Sequence, residues 1–597
     1  MDPRYEPISE YAFLSDGRCA ALVSRQGSVD WCCIPRFDAP SCFGRLLDAD
    51  RGGHCSLTPV GDEVRIERRY LEGTLVLQTT FATDDAEVRL LDGFLMPAEG
   101  DRRCGRLFRV LEGIRGEMTF RVEVVPRFEY GELLPWLQEE AGGVVGVVGG
   151  RVGLAVHGDG PLQRSRHEIR GGWTIRAGER CRLLVRYTPP QELHPRVLDP
   201  RELLDLDREI SDTLVRWRAW SARAPDRTAP EILRSAIVLK GLIYAPSGAL
   251  VGAPTTSLPE SLEGPRNWDY RSTWIRDSVF ALDSLGRLGF RDESEGFRHF
   301  VERSAAGDAG QMHPVYGITG AFRLVEYTLP HLEGYAGQGP VRVGNRAYLQ
   351  HQHDMHGELL NLAWRSRVAG RSAFEPEYLR FLETVVDEAC RRWTEPDHGI
   401  WEVRHDPRHF VHSKVMCWVA VERGCQLLAG SAPEKLQWWR ATRAAIREAI
   451  ETRGVDPGRG VFVRELDGRD LDAALLLLPR VGFVDWRDPR MLRTVEAIRQ
   501  DLCEDGQVLR YRSPDGLAGR EGTFLPCTFW LIEALARQGR VAEARALYDR
   551  TLRCGNDLGL FSEQFDTHRG IPLGNFPLAL THHAHVSAAL ALHEAEG

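Results

Sequence analysis

Arg201-Glu202-Leu203-Leu204-Asp205-Leu206-Asp207-Arg208-Glu209-Ile210 is the stretch at which the hydrophobic period of this chain changes. Leu203, Leu206 and Ile210 recur at the spacing of one helix face, between charges that suit the opposite face. Upstream, between about residues 5 and 195, short alternating apolar runs at 20–23, 64–66, 75–81, 88–91 and 120–125 lie between Gly, Pro and Asp turns. That pattern predicts an antiparallel β-domain. The Gly-rich run 142–160 carries Val pairs and no Gly-x-Gly-x-x-Gly opening a helix, so it reads as a hairpin rather than a phosphate loop.

Downstream of Pro225 nearly every apolar residue follows a 3.6-residue period. Helices are predicted at 230–245, 273–289, 291–305, 346–368, 377–393, 409–429, 433–453, 469–479, 487–502, 524–538, 540–553 and 576–595. The predicted organisation is a β-sandwich domain over 1–198, a helical linker over 199–225 and an all-helical domain over 226–597. Six successive helical hairpins are compatible with an inner and an outer ring of helices, and equally with an open solenoid of helix pairs.

The chain has 597 residues, more than one hydrophobic core supports, which also argues for two domains and leaves room for a large pocket. Its 76 basic and 85 acidic residues are interspersed, with a net charge of −9 and no basic block of the kind that binds nucleic acid or an anionic membrane surface. A neutral substrate fits better. The first residues lack the apolar stretch of a signal peptide, and the run Leu475-Leu476-Leu477-Leu478 is too short to span a bilayer, so a soluble cytoplasmic protein is expected. Thirteen cysteines without a Cys-x-x-Cys pair read as reduced thiols. His351, His353 and His356 cannot share one helical face and no His-Glu-x-x-His occurs, so neither a metal nor another cofactor is predicted. Oligomeric state is not encoded legibly.

Two segments carry chemistry. Gly399-Ile400-Trp401-Glu402-Val403-Arg404 and Gly559-Leu560-Phe561-Ser562-Glu563-Gln564 each place one carboxylate beside an aromatic residue in a Gly-bounded loop, and a glycosidic bond is cleaved between two carboxylates. With them stands Asn267-Trp268-Asp269-Tyr270-Arg271-Ser272-Thr273-Trp274-Ile275-Arg276-Asp277-Ser278.

These three segments resemble the sugar-binding, general-acid and general-base motifs of glycoside hydrolase family 15, the glucoamylases and the bacterial glucoamylase-like and trehalase enzymes. Gly27-Ser28-Val29-Asp30-Trp31, Pro35-Arg36-Phe37-Asp38-Ala39-Pro40 and Arg51-Gly52-Gly53-His54 are similar to the β-sandwich that precedes the barrel in bacterial members. The resemblance implies an (α/α)6 barrel and an inverting hydrolysis that releases β-D-glucose. It implies Glu402 as general acid, and a carboxyl between Ile400, Trp401 and Val403 suits a protonated state. Arg404 would oppose that if it faced Glu402, so it is expected to point to another partner. Glu563 is implied as general base.

Arg276 and Asp277 are implied to grip the terminal glucose, a guanidinium and a carboxylate together satisfying hydroxyls that donate and accept. Tyr270, Trp274 and Trp401 would stack on the sugar, with core packing the alternative for Trp274. Arg510 falls where the family has a further substrate-contacting arginine, with Arg512 as the competing assignment. Glu521 and Glu326 are loop carboxylates expected in solvent, and His582 is read as structural. An exo-acting, glucoamylase-like α-glucosidase is the first expectation and α,α-trehalase the second. Phosphorolysis is disfavoured because its second carboxylate would be dispensable, and a glucan-binding protein because both carboxylates are present.

Overall fold

The structure is a computed structural model and describes residues 2–61, 63–98, 103–139, 144–193, 202–305, 309–370, 374–430 and 432–597. Two eight-stranded antiparallel sheets form the N-terminal sandwich. The first runs Tyr11–Ser15, Ala20–Ser24, Ser28–Cys33, His54–Pro59, Glu117–Val125, Ile169–Arg176, Gln163–Arg164, with Ser41–Phe43 paired to its third strand. The second runs Trp136–Glu139, Val145–Gly149, Val152–Gly158, Arg180–Thr188, Arg106–Arg115, Glu87–Phe94, Leu77–Ala82, Arg65–Tyr70. Alternation along Leu77–Ala82 buries Leu77, Thr79 and Phe81 and leaves the intervening residues partly exposed, as a sheet with one covered face requires. The Gly-rich hairpin is formed by Val145–Gly149 and Val152–Gly158, with Gly150 at φ +60° in the turn. Residues 142 and 143 of that run lie outside the described residues.

Arg109 is fully buried between the sheets. It donates to both oxygens of Asp92 (2.7 and 3.1 Å) and to the carbonyls of Cys55 (2.6 Å) and Gly27 (2.9 Å), which satisfies a charge that burial would otherwise penalise.

The helix that marks the change of period is α1 (Glu202–Ser221); its expected start and the 198/199 boundary lie outside the described residues. Leu203, Leu206 and Ile210 pack on Val76, Phe108, Val110 and Leu184, so this segment is docked onto the second sheet rather than spanning free between domains. There follow α2 (Pro230–Gly241), α3 (Ile275–Arg287), α4 (Asp292–Ser304), α5 (Asp354–Val368), α6 (Pro376–Arg392), α7 (Val411–Leu427), α8 (Leu436–Arg453), α9 (Pro489–Asp501), α10 (Leu525–Arg537), α11 (Val541–Thr551) and α12 (Ala579–Glu596).

Residue pattern sorts them into two layers. In α10 everything except Arg537 is buried, and α7 and α12 are covered on all sides over most of their length, as inner helices must be. In α8 only Trp439, Thr442, Ile446 and Ile450 are buried, one stripe facing inward. The inner elements α3, α5, α7, the 3-10 turn Ala473–Leu477, α10 and α12 pack each on the next, and α12 returns to α3. Helices α2, α4, α6, α8, α9 and α11 form the outer layer. The ring is closed: the domain is an (α/α)6 barrel and not a solenoid.

Two predicted helices are shorter than their periodicity suggests. The segment 469–479 collapses to the turn Ala473–Leu477, capped by Asp472 Oδ1 on the Ala474 N–H (2.7 Å) and stopped ahead of Pro479. The segment 346–368 breaks after Leu349 and resumes at Asp354. The break turns Gln350 and Gln352 toward the 402 loop, where Gln350 Nε2 donates to the Glu402 carbonyl (3.1 Å).

Candidate active site

The inner helices begin at one end of the barrel, and the chemistry-bearing side chains stand at or just before those beginnings. Arg276 and Asp277 open α3, Glu402 lies in the loop before α7, Arg510 in the loop before α10 and Glu563 in the loop before α12. Tyr270, Trp274, Arg276, Asp277, Trp401, Glu402, Arg510 and Glu563 all line a single cavity of about 60 Å³.

Glu402 sits at φ +57°, in the left-handed region that a non-glycine side chain enters at a cost of about 1–3 kcal/mol, a strain typical of functional loops. Gly399 makes the preceding turn at φ +66°, where a β-carbon would come within 2.7 Å of the Phe410 ring. Glu402 Oε1 accepts from Trp274 Nε1 (2.5 Å) and Gln352 Nε2 (3.2 Å), with Arg276 Nη2 at 3.5 Å. Every donor recorded on this carboxyl among the described residues is on Oε1, which leaves Oε2 to face a ligand. Arg404 points away as expected: it donates to both oxygens of Glu326 (3.1 and 2.8 Å) and stacks 3.9 Å over Trp268.

Glu563 is buried. Its Oε1 accepts from the Tyr270 hydroxyl (2.7 Å) and its Oε2 from the Asn575 N–H (3.3 Å). A β-carbon at Gly574 (φ +74°) would lie 2.5 Å from Oε2, so only glycine lets the backbone approach this carboxylate. Burial pushes the Glu563 carboxyl up to about 7, while Arg510, the Tyr270 hydroxyl and the Asn575 N–H favour its ionised form. The segment is braced from below by His582, whose Nε2 accepts the Phe561 N–H (3.2 Å) and whose Nδ1 meets Ser235 Oγ (2.8 Å). Burial holds that imidazole well below its usual range, hence neutral, and it makes no contact with the cavity.

Arg276 is positioned by Asp354 Oδ2 and Gln352 Oε1, both 3.1 Å from Nη1, and lies 3.4 Å from Asp277. Arg276 Nε and Asp277 Oδ2 are buried without a hydrogen-bond partner, a donor and an acceptor open to a bound hydroxyl. Trp401 donates from Nε1 to both oxygens of Asp472 (2.9 and 3.0 Å), which fixes the plane of its ring. Trp274 is both a buried core ring and, through Nε1, a ligand of Glu402.

Arg510 is buried and pairs with Glu521 (2.5 Å) and Glu260 (3.3 Å). Arg512 is turned outward to Glu504 (3.1 Å), so the structure brings Arg510 and not Arg512 to the cavity. Glu521 and Glu326, expected in solvent, are instead tied up by arginines. Glu260 was not anticipated from sequence: burial and the neighbouring Glu563 charge raise its carboxyl well above the usual range. Nothing in Pro259-Glu260-Ser261 distinguishes it from a solvated loop carboxylate. Gln352 and Asp354 were overlooked because the histidines that alternate with them drew attention to metals.

A second lobe of about 50 Å³ shares Tyr270, Trp401, Glu402 and Arg510 with the first and continues to Trp268, Asn345, Arg404 and Tyr511. Its outer wall is fastened by Arg266, which pairs with Asp515 (2.8 Å on each oxygen) and with Glu521. All residues lining either lobe come from the helical domain. The sandwich acts from behind: Arg271, next to Tyr270, is buried in a bidentate pair with Asp269 (2.9 and 2.8 Å) and also donates to the Tyr130 hydroxyl (2.7 Å) and the Ala39 carbonyl (3.0 Å). Among the described residues no helix is long and apolar enough to cross a membrane.

Residues 228–590 match the family model described as glycosyl hydrolases family 15, and residues 3–161 the one described as trehalase-like, N-terminal. A trehalase of Mycolicibacterium smegmatis is 39% identical over 99% of this chain and 92% of its own length. A trehalase of Mycobacterium tuberculosis is 38% identical over 99% of this chain and 90% of its own. The crystal structure of a bacterial glucoamylase complexed with acarbose superposes with a TM-score of 0.74 at 11% identity, covering 99% of this chain and 95% of that one. This last similarity concerns the fold alone.

Proposed function

The chain belongs to glycosyl hydrolase family 15, and from that premise we propose that this glycoside hydrolase is an inverting α,α-trehalase. The observation that carries the choice of substrate is the cavity itself: two lobes of similar size, about 60 and 50 Å³, meet at Glu402, and the outer one is closed by the Arg266 ion pairs. Two equal lobes on either side of an acid suit two glucose rings joined through one oxygen. A longer glucan would need the second lobe open. The trehalases that share 38–39% of this sequence over nearly its full length support the same reading over a glucoamylase-like one.

In this reading one glucose occupies the inner lobe, its hydroxyls on Arg276 and Asp277. Glu402 Oε2 donates its proton to the glycosidic oxygen as the C1–O bond breaks. A water on the opposite face of the ring gives a proton to Glu563 as its oxygen bonds to C1. The other glucose leaves from the outer lobe with its own anomeric configuration unchanged. Equal amounts of β- and α-glucose therefore form at first.

Hydrolysis of trehalose, maltose, isomaltose and maltotetraose by the purified protein tests the assignment, with NMR of the freshly released sugar. Trehalose should be hydrolysed fastest and give both anomers equally; faster cleavage of maltotetraose would move the chain to the glucoamylase-like activity. Release of α-glucose alone from trehalose would mean retention.

A further inference from the structure

The largest cavity in the described structure, about 600 Å³, opens at the other end of the barrel, where α3, α5 and α7 finish. Ten residues of α3 separate Arg276 from Gly286 on its rim, about 15 Å of helix. The walls include Leu282, Leu362, Trp364, Phe374 and Tyr378, so the interior is largely apolar and aromatic. Six arginines and only two carboxylates, Asp283 and Glu295, complete the lining.

Several of those arginines are accounted for by ion pairs. Arg365 and Arg480 hold Asp283 (2.5 and 3.0 Å), and Arg287 pairs with Glu594 (3.2 Å). Arg423 differs. Its guanidinium lies 3.9 Å over the Trp364 ring and donates only to neutral acceptors, Asn361 Oδ1 (3.4 Å) and the Val481 carbonyl (3.0 Å). Burial and the Arg365 charge both act against its cationic form, the signature of a guanidinium facing a site without its counter-charge. Gly286 adds a second, independent observation. It stands inside α3, where glycine is disfavoured, yet a β-carbon built there meets nothing within 4 Å. No packing contact in the barrel requires it, and the space it leaves belongs to this cavity.

We propose that the cavity is a binding site for a small organic anion with a flat apolar body, whose charged group pairs with Arg423 and whose plane lies among Trp364, Phe374 and Tyr378. The volume falls in the range of pockets that enclose small molecules. A stacked guanidinium beside aromatic walls recognises charge and plane together. Inorganic anions lack the body and neutral aromatics lack the charge, so neither alone satisfies the site.

Fluorescence titration of the full-length chain with anilinonaphthalene sulfonate, with the catalytic cavity saturated by glucose, tests this directly. One site is expected. Its affinity should fall at least about tenfold in Arg423→Gln, from loss of a charged hydrogen bond, and binding should vanish in Gly286→Phe, which fills the cavity. Both variants should retain the thermal unfolding and trehalose turnover of the parent chain. N-Phenylnaphthylamine, the same body without the sulfonate, and inorganic sulfate should each bind at least tenfold more weakly. Binding that is absent, or equal in the two variants and the parent, overturns the proposal. So does N-phenylnaphthylamine or sulfate binding as tightly as the aryl sulfonate.

Discussion

Replacing Tyr270 by Phe removes one hydroxyl and keeps the ring, so it isolates the hydrogen bond that Glu563 Oε1 accepts at 2.7 Å. A hydrogen bond to a buried carboxylate is worth about 1.5–3 kcal/mol, and one pKa unit corresponds to about 1.36 kcal/mol, so its loss should raise the Glu563 carboxyl by about 1–2 units. The starting point is about 7. As the proposed base, Glu563 works ionised, and activity of the parent chain should therefore rise with pH through about 7. In Tyr270→Phe that rise should move to about 8–9. At about pH 6, below both midpoints, kcat/KM for trehalose should fall about 10- to 100-fold, the ratio of ionised fractions. At about pH 9 the two enzymes should differ only a few-fold. Glu260 shares the site, so the midpoint read from the profile is that of the coupled carboxyl pair, and the direction of its movement is the decisive result. Initial rates of glucose release across this range are the assay. A loss of the same size at every pH, or a midpoint that moves down, would refute the assignment of Tyr270 as the donor that keeps the base ionised.

Three other perturbations follow from the same geometry. Glu402→Gln and Glu563→Gln should each lower kcat on trehalose by about two to four orders of magnitude; on α-glucosyl fluoride, whose leaving group needs little protonation, only the first should recover, and equal rates would contradict the roles. Arg404→Ala removes a guanidinium from the outer lobe and should reduce kcat/KM for trehalose by about tenfold, while leaving α-glucosyl fluoride hydrolysis within a factor of two or so, since the fluoride does not fill that lobe; an equal loss on both substrates would place Arg404 elsewhere in the cycle. Arg271→Met strands the buried Asp269 carboxylate and should cost about 3–5 kcal/mol in denaturant unfolding, with partial recovery when Asp269→Asn is added; an unfolding midpoint unchanged by Arg271→Met would sever the link between the sandwich and the Tyr270 loop.

The two layers of the barrel were legible because burial on all sides and burial on one stripe leave different patterns in a single helix. Leu525–Arg537 is apolar around its circumference, and Trp439, Thr442, Ile446 and Ile450 are not. The helix expected over 346–368 illustrates the limit of that signal. Its periodicity continues through Gln350–Gln352, but those amides gain more by bonding the 402 loop than by extending the helix, and no local pattern registers a partner 50 positions away. The same blindness hid Glu260. Its neighbours in sequence resemble a surface loop, and only the meeting of Arg510, Glu563 and Glu521 around it makes its burial tolerable.

By itself the sequence determined the change from two-residue to 3.6-residue period, the order of the helices, and the two Glu-bearing loops with their resemblance to a hydrolase family. These are properties of single elements and short segments, and they survive without any knowledge of what lies opposite. The tertiary structure alone decided that the helices close on themselves, because closure depends on α12 meeting α3 across some 300 residues. It decided which of two arginines, 510 or 512, faces the cavity. It also gave the cavity its second, fastened lobe, whose wall is made by Arg266 reaching Asp515 and Glu521 about 250 positions on. Charge pairing at that distance is set by the ring's geometry and not by any stretch of residues in it.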